Sequence, residues 1–433
     1  MTHFERTADK SVDHGGRMEV ASNLQWYQAA LLILIAWSTY TSVPLLSGGR
    51  LLVPSFPTVA LIPVLLLTAW QKVSKADEVF LLKITFVLLL SMLLSPGYEY
   101  LQEKFLGLIQ CSMAIGVTIL TVRLMQQMRR ESLERTLLVL WCLIVFGCIL
   151  EVVGLTRDIS DSFREWAYVG MFTLIDSDLR DINMVGWARP KLFSSEPSHV
   201  TKFFIAAINS WLLVRVTWNR VAVVAGATLA MIVIMGSPML VVSAAITVAI
   251  VLWDRRAHLR TKVAMILATL LIGGLFGVYS GGSVYSSIAN RLMNVGPIQV
   301  GDDLSSEDSR IVYPYVILVD TWRRWPLFGV GISGKEVVLE SGRFGDDLGN
   351  NAMAEMWTYL GLVGGVLFIY VLLRQAYQTG VDRLGLLVVT VALFSQLMGG
   401  FVAFRSWGFI ALIWGALAVA DTQANLEAGQ THK

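Results

Sequence analysis

Charge is scarce in this chain: Asp, Glu, Lys and Arg make up 15% of its 433 residues, against 55% hydrophobic residues. With a mean hydropathy of +0.62, that balance excludes an ordinary soluble domain. Cysteine is nearly missing as well. Cys111, Cys142 and Cys148 all fall inside apolar runs, where a thiol reads as a small buried hydrophobe, so neither a structural disulfide nor a thiolate metal site is expected. Of five histidines, His3, His14 and His432 lie in the tails and His258 sits among arginines, which leaves His199 as the imidazole placed for chemistry. The acidic pairs at 302 and 346 and the Asp176 to Asp178 stretch have no histidine to complete a ligand set, so no metal is expected. A net charge of +2 spread over so long a chain gives no electrostatic reason to bind nucleic acid. The mixed polar start, with Glu5, Asp9, Asp13 and Glu19, is unlike a short basic leader, so no cleaved signal is expected.

What is present is a succession of long apolar runs. A helix crossing a hydrocarbon layer of about 30 Å needs about 20 such residues. The runs predict an all-α polytopic membrane protein with about twelve transmembrane helices, near 25–46, 51–70, 78–95, 105–122, 136–156, 200–216, 221–236, 238–253, 263–279, 353–373, 384–399 and 403–420. A tail, 1–24, precedes them, and another, 421–433, follows. Lys72, Lys75, Arg123, Arg129, Arg130, Arg135, Arg215, Arg220, Arg255, Arg256, Arg260, Lys262, Arg374 and Arg383 fall on one side, against Arg50, Lys104 and Arg405 on the other. Fourteen against three predicts that both termini are cytoplasmic. Two long segments, 157–199 and 280–352, then face outward, between helix groups 25–156, 200–279 and 353–420. Trp26, Tyr27, Trp70, Trp253 and Trp407 near the run ends are expected to anchor at the interface. No internal repeat is visible, which counts against a transporter of inverted repeats.

The first outer segment ends in "ARPKLFSSEPSHVTKFF", which packs Arg189, Lys191, Glu196, His199 and Lys202 ahead of an apolar helix, with Arg180 a little upstream. Its aromatic residues, Trp166 among them, suggest that the segment lies against the membrane surface. Pro197 suits the first position of a helix. Ser195 or Glu196 would cap that helix, whose N-terminal field favours anions. Arg310 in the second outer segment follows a capping-box pattern, Ser305 to Asp308, of a helix expected to end before Pro326. It either meets an anion or pairs with Glu307 or Asp308. Asn350 and Asn351 stand before the tenth run, as helix caps or as polar contacts, and Glu151 is an ionisable group near lipid depth. "GVGISGK" spaces Gly329, Gly331 and Gly334 like a nucleotide loop and ends on Lys335. Glu336 stands where a hydroxyl would hold magnesium and no strand is expected before it, so that reading is rejected.

The order of "RPKLFSSEPSH", Arg310, "WPLFGVGISG" and "WTYLGLVGG" resembles the O-antigen polymerase and ligase family of bacterial inner-membrane enzymes, over roughly residues 130–380. The resemblance implies a fold similar to GT-C glycosyltransferases. It also implies a function: joining undecaprenyl-diphosphate-linked oligosaccharide repeat units at the outer face of the inner membrane. Arginines of the family's two outer loops bind the donor diphosphate, and Arg189 and Arg310 match those positions. Ligases usually carry histidine before the Gly-rich tenth span, where this chain has "LGNNAMAE", so the resemblance favours a polymerase for O-antigen, capsule or exopolysaccharide. A ligase remains the alternative within the family, and a flippase of the lipid-linked glycan the alternative of another class.

On this reading Arg189 and Arg310 stabilise the departing diphosphate, aided by Arg180, Lys191 and Arg405, because a guanidinium makes paired charge-assisted bonds and stays protonated. Glu196, then His199, then Glu151 are the candidates to take the acceptor proton. The plainer role for Glu196 is a helix cap neutralised by Lys191 or Lys202. Asn350, Asn351 and Arg405 would make further substrate contacts. The activated donor makes a cofactor unnecessary. Membrane lipid, a chain-length-regulating co-polymerase and a flippase are the further partners this reading brings in.

Overall fold

A computed structural model of the protein describes residues 13–47, 50–53, 55–168, 179, 181–182, 186–237, 239–253, 259–260, 262–263, 267, 313–339, 351–396 and 398–430. They are helical apart from loops and one small hairpin. The helices are α1 (Asp13–Thr41), α2 (Phe56–Ala69), α3 (Lys75–Leu94), α4 (Leu101–Gln127), α5 (Arg130–Val152) and α6 (Arg157–Ala167), then α7 (Pro197–Val214), α8 (Trp218–Met235) and α9 (Met239–Trp253). After these come α10 (Tyr313–Arg324), α11 (Lys335–Leu339), α12 (Ala352–Gln378), α13 (Leu384–Ser395) and α14 (Phe404–Gln430). Among the described residues, five stretches are long and apolar enough to cross a membrane: Tyr98–Gln127, Arg130–Val152, Trp218–Met235, Ala352–Gln378 and Phe404–Glu427. Phe56–Lys72, Ser243–Trp253 and Leu384–Ser395 are shorter apolar helices.

The centre is built around α7, almost every residue of which is buried, Lys202 and Asn209 included. It packs on α14 and α5, and α14 packs in turn on α4. Inside this core Asn209 of α7 donates to Ile205 O (2.9 Å) and accepts from Thr247 of α9 (2.9 Å). At one end of the bundle Asp77 of α3 receives Arg123 of α4 through both oxygens (3.0 and 2.8 Å) and is also bonded by Gln375 of α12. Removing one partner of so buried a pair costs about 3–5 kcal/mol.

Several expectations need correction. Thr41 ends α1, and an antiparallel hairpin, β1 (Leu45–Ser47) with β2 (Arg50–Val53), occupies part of what reads as the first two apolar runs. Helix α5 stops at Val152, where Gly154 turns the chain with φ +91°. Trp407 is buried, with its indole donating to Phe401 O (2.8 Å), so it is a core residue, unlike the exposed Trp26, Trp70 and Trp253. Cys142 faces outward while Cys111 and Cys148 are buried. The run at 263–279 lies almost wholly outside the described residues.

The glycine-rich stretches have a use that their spacing does not announce. Helix α12 is broken at Gly361 (φ 64°, ψ −169°), a conformation essentially reserved for glycine. The segment from Pro326 to Gly331 lies against the break. Val330 and Gly331 donate to the freed carbonyls of Thr358 and Tyr359 (both 3.0 Å), while the Leu362 and Val363 amides donate to Pro326 and Leu327 O (2.8 and 3.0 Å). Ser91 of α3 adds a bond to Tyr359 O (2.9 Å). Backbone groups at lipid depth must be satisfied inside the protein, and here the "GVG" segment does it.

Candidate functional site

The stretch before α7 is a tight loop held from four directions. Leu192 (φ 42°) and Phe193 (φ 67°) are consecutive left-handed residues with side chains, each costing on the order of 1–3 kcal/mol. Glu151, at the end of α5, offsets this cost. Its carboxylate accepts the Lys191 amide (2.9 Å) and the Leu192 amide (2.8 Å), one on each oxygen. Ser160 of α6 accepts the Phe193 amide (3.1 Å). The Tyr40 hydroxyl of α1 reaches the carbonyls of Lys191 and Leu192 (2.9 and 3.1 Å). Tyr168 donates to Thr41 O (2.6 Å) and lies 3.2 Å from Phe193 O. Burial pushes the Tyr168 phenol up to about 12, so it remains a donor at any ordinary pH.

Glu151 is therefore the acceptor that anchors the loop, holding two successive backbone amides on its two oxygens. Helix α6 buries Ser160, Arg164 and Ala167 and exposes Ile159 and Trp166.

Beyond the turn, Glu196 stands at the N-cap of α7 without a capping bond from its side chain. Its carboxylate instead accepts Ser198 Oγ (3.0 Å) and is close enough to Arg405 to interact with its charge. Ser195 also fails to cap; its hydroxyl is 3.3 Å from His199 Nδ1. Arg405, at the start of α14, donates to the last carbonyls of α1, Tyr40 O (2.7 Å) and Thr41 O (3.1 Å). A third arm meets His199 Nε2 at 2.7 Å. A guanidinium can only donate, so Nε2 is the acceptor and the imidazole proton sits on Nδ1, facing Ser195.

Arg189 is mostly buried and directs Nε and Nη2 onto one oxygen of Asp181 (3.0 and 2.5 Å). Asp181 is fully buried, and its second oxygen has no hydrogen-bond partner among the described residues. Lys191 is also buried. Asn351 caps α12 through the Met353 and Ala354 amides (both 3.1 Å) and donates to Gln396 (2.9 Å), the helix-cap arrangement. Arg180, Arg310 and Asn350 lie outside the described residues.

Two polar groups near these elements escape sequence reasoning. Asp181 is an ordinary loop acid until its burial is known. Glu355, in the first turn of α12, accepts the Phe401 amide (2.7 Å); an acid one turn into an apolar run was the available signal. Among the described residues no three His, Cys, Asp or Glu side chains are placed to hold a metal ion. No family model matches the chain, and no curated protein matches it.

Proposed function

We propose that the chain is a polysaccharide polymerase of the inner membrane, joining undecaprenyl-diphosphate-linked oligosaccharide units at its outer face. The observation that supports this reading is Arg405 at the mouth of α7, bonded to Nε2 of His199 and within reach of the charge of Glu196. A guanidinium near a carboxylate and an imidazole supplies charge stabilisation and a proton acceptor, the two things that an in-line displacement at an anomeric carbon uses. The acceptor hydroxyl oxygen attacks that carbon, the bond to the diphosphate oxygen breaks, and undecaprenyl diphosphate leaves with the electron pair. Arg189 and Arg310 take up its charge, with Arg180 and Lys191 as aids. Glu196 receives the hydroxyl proton, and Arg405 holds His199 beside it as a hydrogen-bonding group.

The same reading carries about twelve spans, a GT-C-like arrangement and cytoplasmic termini, with the loop end of α7 outward. It takes the donor from a flippase and leaves chain length to a co-polymerase. A ligase would use the same donor chemistry with a different acceptor. The transporter alternative gains one observation, because a broken span such as α12 is a feature of carriers. Its freed carbonyls at Thr358 and Tyr359 are already bonded within the chain, which leaves them less to offer an ion.

The test is purified protein in detergent with a lipid-linked oligosaccharide. A ladder of longer carrier-linked products is expected, and Glu196→Gln should remove it while the protein stays folded. A Glu196→Gln ladder of wild-type length refutes the base assignment. Transfer to a lipid A core acceptor without any ladder makes the chain a ligase.

A further inference from the structure

At the end of the bundle opposite the loop before α7, a cleft of about 200 Å³ opens between α3 and α12. Three cations line it: Lys75 and Lys83 from α3 and Arg374 from α12. No acidic residue is among its lining residues, and all three cations are exposed. The nearest buried acid, Asp77, is already neutralised by Arg123. We propose that this cleft binds the phosphate headgroup of an anionic glycerophospholipid.

The helix geometry brings the three charges together. Lys83 lies eight residues into α3, about 12 Å beyond Lys75 along the axis, at a depth where a lysine is costly unless it has a use. Side chains tilt toward the N-terminus of their own helix. Lys83 therefore leans back toward Lys75 at the bundle end, and Arg374, near the C-terminus of the antiparallel α12, leans inward to meet it. Gln375 forms part of the wall. Its amide nitrogen donates to Asp77, which fixes the side chain in place.

The surroundings favour a lipid over a free anion. Leu82 and Phe86 of α3 and Leu367 and Tyr370 of α12 are exposed apolar side chains farther along the same two helices, a surface for acyl chains directly beyond the phosphate. Basic pockets between helices at the membrane surface are suited to anionic headgroups, and each cation there strengthens the attraction.

The experiment is native mass spectrometry of the full-length protein released from micelles containing equimolar phosphatidylglycerol and phosphatidylcholine. Wild type should retain phosphatidylglycerol over phosphatidylcholine by at least about tenfold, and K75Q/K83Q/R374Q should lose that preference. The charge-keeping K75R/K83R/R374K should retain it. Equal retention of the two lipids by wild type, or an undiminished preference in the glutamine variant, overturns the proposal. Displacement of the lipid by millimolar inorganic phosphate overturns the choice of a lipid ligand. Should the triple glutamine variant fail to elute as a single folded species, K83Q alone replaces it, and wild-type preference in K83Q is then the refuting result.

Discussion

Arg405 donates to Nε2 of His199 at 2.7 Å while its other arms hold the last carbonyls of α1. One guanidinium thus joins the two ends of the chain's helical core to the mouth of α7. Arg405→Lys replaces a three-way fork with a point charge and should cost about 2–4 kcal/mol, since hydrogen bonds from a charged group contribute about 1.5–3 kcal/mol each before compensation. A lowered thermal midpoint in detergent checks this. His199→Asn, which keeps a polar ring-sized neighbour to Arg405, should lower polymer yield with a smaller change in midpoint.

Glu151 and Glu196 should separate cleanly under the same substitution. Glu151→Gln keeps one acceptor and sets an NH2 group against a backbone amide of the strained turn. The expected loss is about 2–4 kcal/mol of stability, with activity falling only because folded protein is lost. Glu196→Gln keeps an acceptor for Ser198 and removes a charge near Arg405, and should destabilise by less than Glu151→Gln does while polymer formation stops. Equal destabilisation of the two variants would refute this division of roles.

The apolar runs made most helices legible: 78–95 anticipates α3 (Lys75–Leu94), and 384–399 anticipates the start of α13 at Leu384. The β1–β2 hairpin was also written in the sequence, as Gly48-Gly49 between two apolar stretches, but hydropathy absorbed it into spans. At the site, residue identities were readable and partners were not. A carboxylate forty residues upstream of Lys191 carries no local sign that it will accept that amide. The "GVG" spacing was visible only as a failed nucleotide loop, because its partner, the break at Gly361, is a long-range contact.

That contact makes two glycines irreplaceable. A Cβ on Gly329 would lie 2.2 Å from Thr358 O, and one on Gly361 would lie 2.4 Å from the Gly329 amide nitrogen. Both neighbours are backbone and cannot rotate away. Gly329→Ala and Gly361→Ala should each cost more than about 3 kcal/mol or prevent accumulation of folded protein. Gly226 of α8 has open space at the same position, so Gly226→Ala should be neutral or up to about 1 kcal/mol stabilising. Fluorescence-detected size exclusion and thermal unfolding compare the three.

Tyr168 gives a pH signature. Its folded phenol titrates near 12 against an ordinary value of 10.0, so above pH 10 the unfolded chain loses a proton that the folded chain keeps. The contribution is whole below pH 10 and is lost as pH rises through 12, at about 1.4 kcal/mol per pH unit and roughly 2–3 kcal/mol in all. Tyr168→Phe has no such proton to lose. The stability difference between wild type and Tyr168→Phe should therefore shrink between pH 9 and about 12; a constant difference would show that the phenol is not held neutral.

Arg189 and Asp181 form the pair whose energetics test the proposed diphosphate contact. Arg189→Ala strands a fully buried carboxylate, which should cost about 3–5 kcal/mol, whereas Asp181→Asn keeps an oxygen acceptor and should cost less. If Arg189 serves only to neutralise Asp181, the double variant Arg189→Ala with Asp181→Ala recovers stability and activity together. If Arg189 also receives the donor diphosphate, the double variant recovers the thermal midpoint and still fails to consume lipid-linked oligosaccharide. Asp181→Asn, with the guanidinium kept but less firmly oriented, should then raise KM for the donor severalfold with a smaller effect on kcat, because the loosened group acts mainly in binding. A double-mutant cycle read by both unfolding and donor turnover separates these outcomes.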